Sequence, residues 1–358
     1  MDVRRFHVEG YRSLLDVDLE FGQVTVLVGP NGSGKSNVYK ALRLMHAAAV
    51  GQLGRTVVRE GGMPSLVYAG FRRGEPRVEM TLGLDGMDYG IRLATVGRGA
   101  PVSSVAFPLD PAVTAEHIVI PGVGRPVELL DRSGSMAMVR DDDGRPVTLT
   151  EAFTSSESVL SQLRDDRRFP ELHYVRHVLA SMRFHDHLRT DEAAPARALS
   201  LGTRTVSVAD DGADLAAALM TIHDEGERGV LADVVSESLD AALDLDIDEA
   251  GHATVSLVRD DIILRLNGSE LSDGQVRFLF LAAALLSPRP PTMIVVNEPE
   301  TSLHSELLAG VAAMIETAAR STQVVVTTHS AELDERLSRI DGTVRHELHV
   351  REGSTRVD

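Results

Sequence analysis

Cysteine and tryptophan are absent from the 358 residues, and only two of the 36 basic residues are lysine, Lys35 and Lys40. The missing cysteine excludes a disulfide scaffold, a thiol nucleophile and thiolate-ligated zinc, and fits a reducing cytoplasm. The longest apolar run, Phe278 to Leu286, is far short of the roughly 20 residues that cross a bilayer. The opening MDVRRFHVEG has no apolar signal-peptide core, so no membrane partner is expected. Positive charge is scarce: 53 acidic residues against 36 basic ones leave a formal charge of −17, which excludes a constitutive nucleic-acid coat and confines any DNA contact to a local basic face. What is present suffices for a core, since 43% of residues are hydrophobic, and the length allows about two domains or one large one. Because arginine serves almost everywhere, Lys35 marks a position that needs a compact point charge rather than a planar guanidinium.

Short β-branched and apolar runs at 3–28 read as strands, and the continuous apolar stretch Val24 to Val28 reads as a parallel strand buried on both faces. A Gly-rich turn follows at 29–34, then a helix from Lys35 to about Ala49. Residues 76–150 alternate in short runs with Gly, Asp and Pro turns, as antiparallel β structure does, with Asp143-Gly144 as a hairpin turn. Residues 155–190 and 211–242 carry helical patterns, with Asp211 as a candidate N-cap. From 243 onward the order is strand (LDLDI), strand (ATVSLV with IILRL), helix, strand, helix, strand, an α/β pattern. The expected organisation is a core lobe from 1–75 and 243–358, a β-rich subdomain at 76–150 and a helical insertion or lid at 151–242.

The sharpest motif is Gly29-Pro30-Asn31-Gly32-Ser33-Gly34-Lys35-Ser36, a full match to the phosphate-binding loop GxxxxGK[ST] between a buried strand and a helix. Its glycines let successive backbone N–H groups turn inward onto phosphate oxygens, and the helix N-terminus adds partial positive charge. Lys35 supplies charge to the outer phosphates, and the Ser36 hydroxyl suits Mg²⁺. Leu271-Ser272-Asp273-Gly274-Gln275 opens the apolar helix Phe278 to Leu286, with Ser272 as N-cap. The buried run at 293–296 ends in Asn297-Glu298-Pro299-Glu300. Glu298 there suits the orientation or deprotonation of a water attacking a γ-phosphate. Thr301-Ser302-Leu303-His304 follows, then a further apolar strand ending in His329, which can hydrogen-bond a γ-phosphate or the attacking water.

In this order the motifs resemble those of the ABC-type ATPases, and within them the SMC/RecF/OLD-like branch, in particular its standalone bacterial ATPases. The opening FHVEGYRSLLDVDLEF, the spelling GPNGSGKSN with Asn37, and EPETSLH carry that resemblance over about 1–45 and 265–332. It implies an α/β P-loop NTPase with an ABC-ATPase-like head: a mixed or parallel sheet core, an antiparallel β subdomain and a helical lid insertion. It implies ATP and Mg²⁺ as ligands, with Ser36 and Asn297 near the metal. Asn297 stands where phosphate-loop ATPases usually carry Asp, so one negative charge is missing. LSDGQ departs from LSGGQ at Asp273. The resemblance further implies a homodimer on ATP binding, in which the phosphate loop of one copy faces Ser272, Gly274 and Gln275 of the other. Arg12 and Ser13 match a position that touches nucleotide. The implied role is in DNA repair, DNA maintenance or anti-phage defence, with DNA cutting left to a separate nuclease or effector partner, since neither an OLD-type nuclease domain nor SMC arms fit the chain.

Two alternatives stand beside this reading. One is a slow-turnover, nucleotide-gated scaffold or regulator, motivated by Asn297. The other is a transporter nucleotide-binding subunit, disfavoured by the spacing of 236 positions from Lys35 to Leu271. Three features are given bland readings. Arginines and aromatics interleave at 164–189, but acids dilute them, as in a solvated or interface helix. The His173/His177 and His185/His187 pairs lack a carboxylate framework for a metal. The stretch 210–249, with thirteen acids and one arginine, reads as a solvated acidic face that repels DNA.

Overall fold

The computed structural model describes residues 3–70, 75–95, 107–122, 125–149, 153–226, 228–259 and 265–358. The chain divides into two compact units: Met1–Phe21, Gly29–Met182 and His346–Asp358 form the first, Gly22–Val28 and Arg183–Arg345 the second.

In the first unit, β1 (Val3–Tyr11) and β2 (Leu14–Glu20) pair antiparallel. After β3 (Val24–Val28), which belongs to the second unit, come the helices α1 (Lys35–Val50), α2 (Leu53–Arg59) and α3 (Met63–Leu66). A meander follows: β4 (Arg77–Leu84), β5 (Met87–Thr95), β6 (Pro111–Ile120), β7 (Val127–Ser133), β8 (Met136–Arg140) and β9 (Pro146–Leu149). These strands join β1 and β2 in one antiparallel sheet of order β2-β1-β4-β5-β6-β7-β8-β9. The Asp143-Gly144 turn is where the sequence places it, with Gly144 at φ 76° and its N–H bonded to the Asp141 carbonyl at 2.8 Å. Inside the sheet the fully buried Glu116 accepts from Tyr89 Oη (2.9 Å) and the Val159 N–H (2.9 Å), and faces the equally buried Arg132 at 3.4 Å. This satisfied charge network ties α4 (Val159–Gln162) to the sheet. Ten of the sixteen residues of α1 are buried, and it packs against α4 and α5 (Pro170–Ser181).

In the second unit, β10 (Arg183–His185), β15 (Met293–Asn297), β16 (Gln323–Thr328) and β3 form a parallel sheet in the order β10-β15-β16-β3. Every residue of β3 and β16 is buried, and so are the first four of β15, as a parallel sheet covered on both faces requires. β11 (Ser200–Leu201), β12 (Ala242–Ile247) and β14 (Leu266–Asn267) pair with β13 (His252–Val258). The core holds α6 (Leu215–Glu225), α7 (Arg228–Leu239), α8 (Asp273–Leu285) and α9 (Leu308–Ala318), followed by α10 (Ala331–Leu337). Gly310 allows the close approach of α9 to α8 and α7: a Cβ there would lie 2.2 Å from Ser238 Oγ and 2.9 Å from Phe278 Cζ. The C-terminal hairpin belongs to the first unit from His346 onward: β17 (Thr343–Arg351) and β18 (Ser354–Val357) pair from Leu348↔Val357 to Arg351↔Ser354.

Three local expectations are corrected. Residues 155–190 are not continuously helical: Pro170 opens α5 at its first turn, and the chain becomes extended at Met182 to place β10 beside β15, a long-range pairing that overrides local pattern. The 211–242 stretch is two helices separated at Gly226, and Asp214, not Asp211, occupies the N-cap position of α6. The Asp214 carboxylate accepts from the Ala209 N–H, and that of Asp211 from the Ala213 N–H. Of the strand expected at 262–266, residues 262–264 lie outside the described residues.

Candidate nucleotide site

The residues singled out in the sequence fall into one group in each unit. In the first, the loop Gly29–Gly34 leads into α1, whose N-cap is Gly34 at φ 108°. A side chain at Gly34 would meet Thr355 Oγ1 at 2.2 Å, so the loop is seated directly on β18. The donor order of its support is internally consistent. Asn37 Nδ2 donates to Ser13 Oγ (2.8 Å), Ser13 Oγ donates to Thr355 Oγ1 (2.7 Å), and Thr355 Oγ1 donates to the Ser33 carbonyl (2.9 Å). Ser13 and Asn37 thus brace the underside of the loop. Lys35 is buried, and its ammonium donates to the carbonyls of Gly29 (2.6 Å) and Pro30 (3.1 Å). Pro30, Asn31, Gly32 and Ser36 are exposed. Arg12 sits at φ 49°, an unusual angle for a non-glycine residue. Its guanidinium bonds to Glu60, whose carboxylate also lies 3.3 Å from Lys40 Nζ.

In the second unit, parallel register aligns the strand ends: Thr328 pairs with Val28, the residue before Gly29, and Asn297 pairs with Thr327. The carboxyl edge of an open α/β sheet is where such folds place ligands. Glu298 follows β15 at φ 49°, a conformation that L residues hold only when the surroundings impose it. Here its N–H donates to the Thr327 carbonyl (2.9 Å) and hydroxyl (3.2 Å), and its carbonyl accepts from Arg277 Nη2 (3.2 Å) and the Thr301 N–H (3.1 Å). The Glu298 carboxylate is left part-exposed, 3.9 Å from Nδ1 of His329.

Glu300, which the sequence reading did not single out, is the buried member of this cluster, with 7% of its side chain exposed. Its Oε1 accepts from Thr328 Oγ1 (2.7 Å) and from the His329 N–H (2.8 Å), and lies 3.1 Å from His329 Nδ1. A carboxylate on Nδ1 fixes the ring and leaves Nε2 for whatever His329 meets. The available signal was the second acid of NEPE, two residues from Glu298. Arg277 is buried, and burial presses its guanidinium below the ordinary arginine range, while Asp186 and Glu300 oppose that. His185 is a core residue: its ring meets Phe280 edge-on at 5.5 Å, and burial, helped by Arg183 and Arg277, pushes its pKa down to about 4.

The signature segment opens α8. Ser272 caps it reciprocally with Gln275, whose N–H reaches Ser272 Oγ (3.3 Å) and whose Oε1 accepts from the Ser272 N–H (2.8 Å). Arg197 locks the approach, donating to Asp273 Oδ1 (2.8 Å) and to the Leu271 carbonyl (2.5 Å). A Cβ on Gly274 would lie 3.3 Å from the Ser302 carbonyl, so the loop after Glu300 rests against this helix start. Ser272 and Asp273 are exposed.

The hydroxyl of Ser36, the amide oxygen of Asn297 and the carboxylate of Glu298 are hard oxygen donors of the kind magnesium takes. Mg²⁺ takes few protein ligands and completes its shell with water and substrate phosphates. Two arginines of α5 and its approach are engaged internally: Arg176 bonds Asp166 and the Leu163 carbonyl, and Arg164 the Ser161 carbonyl. Among the described residues no helix is long and apolar enough to cross a membrane.

A model of the family described as "AAA domain, putative AbiEii toxin, Type IV TA system" matches residues 24–93 and 135–335, more than half of the chain. The Chromosome partition protein Smc of Clostridium kluyveri is 34% identical over 97 residues, 26% of this chain and 8% of that protein. The OLD nuclease of Thermus scotoductus is 42% identical over 43 residues, 12% of this chain and 8% of that protein. The chain therefore spans about 8% of the length of these curated relatives. Among solved structures, an SMC head bound to the C-terminal winged-helix domain of ScpA aligns over 100% of this chain and 97% of that one, with TM-score 0.57 at 16% identity. That likeness shows the fold, a mixed α/β P-loop head of the ABC-ATPase-like SMC type.

Proposed function

The chain belongs to the AAA-domain family described as putative AbiEii toxin of type IV TA systems, and from that premise we propose that it binds Mg·ATP on the loop Gly29–Ser36 and hydrolyses it through Glu298 and His329. The observation that carries this reading is strand register. β3 delivers the chain to the phosphate loop, while β16 beside it and β15 on the far side of β16 end in Thr328-His329 and Asn297-Glu298 at the same carboxyl edge.

The roles follow from the chemistry of each group. Loop N–H groups and the Lys35 ammonium bind the phosphates, with Gly29, Pro30, Asn31, Gly32, Ser33 and Gly34 shaping the cradle. Magnesium, when bound, neutralises charge on the phosphate oxygens; Ser36 and Asn297 are its candidate holders. Glu298 accepts a hydrogen bond from the attacking water and orients it. His329, fixed by Glu300 at Nδ1, presents Nε2 for a hydrogen bond with the γ-phosphate or that water. Ser272, Gly274 and Gln275 meet the nucleotide of a second copy in a head-to-tail homodimer, which the exposure of Ser272 supports. The biological setting proposed is DNA maintenance or anti-phage defence in the cytoplasm, with DNA on a local basic face and a separate nuclease or effector as partner.

The test is ATP hydrolysis by the purified chain with and without single- and double-stranded DNA. Turnover abolished by Lys35→Ala and Glu298→Gln supports the reading. Turnover indifferent to both substitutions overturns it.

A further inference from the structure

Asn297 is short of one negative charge at the end of β15, yet a carboxylate lies against it. Its Nδ2 donates to Asp186 Oδ1 at 2.7 Å, and its Oδ1 accepts from Thr327 Oγ1 at 2.6 Å. The amide orientation is dictated by its partners: an ionised carboxylate only accepts, so the NH₂ end must face Asp186. The Thr327 hydroxyl in turn accepts from the Glu298 N–H at 3.2 Å. One relay therefore runs from the backbone of Glu298 through Thr327 and Asn297 to Asp186.

Asp186 reaches this place because β10 pairs parallel with β15, His185 opposite Val296, and Asp186 is the next residue. Its backbone is held independently. The buried Arg277 donates from Nη1 to the Asp186 carbonyl and from Nη2 to the Glu298 carbonyl, both at 3.2 Å. The guanidinium thus binds main-chain oxygens and leaves the Asp186 side chain to Asn297. Asp186 is exposed, and its Oδ2 takes no hydrogen bond from the described residues.

We propose that Asp186 supplies the carboxylate charge missing from position 297, and that Asp186 and Asn297 act together in holding the magnesium of Mg·ATP. This rests on the nucleotide reading above. The set is chemically apt, pairing one hard anionic oxygen with an amide oxygen that keeps a second lone pair. It also removes the motive for the slow-turnover alternative, which rested on Asn297 alone.

The test is Mn²⁺ binding, read by electron paramagnetic resonance with a saturating non-hydrolysable ATP analogue, for the wild type, Asp186→Asn, and the charge-swapped pair Asp186→Asn with Asn297→Asp. Asp186→Asn should weaken Mn²⁺ binding about tenfold or more, and the swap should restore most of it. Analogue binding in EDTA should be the same for all three. Mn²⁺ affinity within about twofold of wild type for Asp186→Asn, a swap that restores nothing, or loss of analogue binding in EDTA would each overturn the assignment. Failure of the nucleotide reading itself is visible separately, as analogue binding that survives Lys35→Ala.

Discussion

His329 Nδ1 lies 3.1 Å from the buried Glu300 Oε1, and the same oxygen accepts the His329 backbone N–H at 2.8 Å. Side chain and main chain of one histidine are therefore held by one carboxylate. Glu300→Gln keeps an acceptor for Thr328 and for the backbone but removes the charge that orients the ring. We expect kcat to fall by about 10- to 100-fold with little change in ATP affinity, and melting temperature to stay near wild type. Glu300→Ala should also lower stability, by about 1–3 kcal/mol, because buried donors lose their partner. Steady-state kinetics beside thermal melts check this; a Glu300→Gln enzyme with wild-type kcat would remove Glu300 from the mechanism.

Thr355 stands beneath the phosphate loop. Thr355→Val deletes the hydroxyl that accepts from Ser13 and donates to the Ser33 carbonyl. It should cost about 1–2 kcal/mol of stability and weaken ATP binding severalfold, whereas Thr355→Ser should retain both. Calorimetric titration with ATP reads the effect. Equal affinity for the valine and wild-type proteins would show that the C-terminal hairpin does not shape the loop.

His185 sets a pH dependence. Its folded-state pKa, about 4, is below the 6.5 of the unfolded chain, so between those values only the unfolded state takes up the proton. The stabilisation is complete above about pH 6.5 and is lost as the pH falls toward 4, to a total of about 3 kcal/mol. Urea unfolding at several pH values should show the wild type losing this increment relative to His185→Phe. Parallel pH profiles for the two proteins would mean that the histidine titrates normally.

Much of the sheet was legible because β3, β15 and β16 are continuous apolar runs, and the phosphate loop because its spacing has few other uses. The start of α8 was legible too, since a capping serine before an apolar helix is a local signal, and the structure makes Ser272 the cap. Asp186 and Glu300 were not. Asp186 meets Asn297 across 111 positions of sequence, through a three-residue strand lying in a stretch with helical periodicity. Such a strand exists only because β15 is there to pair with it. Glu300 carries no local signal of burial, which depends on β16 bringing Thr328 and His329 beside it. Likewise the pairing of β1 with β4, which unites the N-terminal hairpin with the meander, has no local signature.

The most direct measurement is the mass of Glu298→Gln by light scattering on a sizing column, with and without ATP and Mg²⁺. Retained ATP should convert it from monomer to a stable dimer, and Ser272→Arg in the same background should return it to monomer while ATP stays bound. A Glu298→Gln protein that remains monomeric at saturating Mg·ATP would contradict the head-to-tail site.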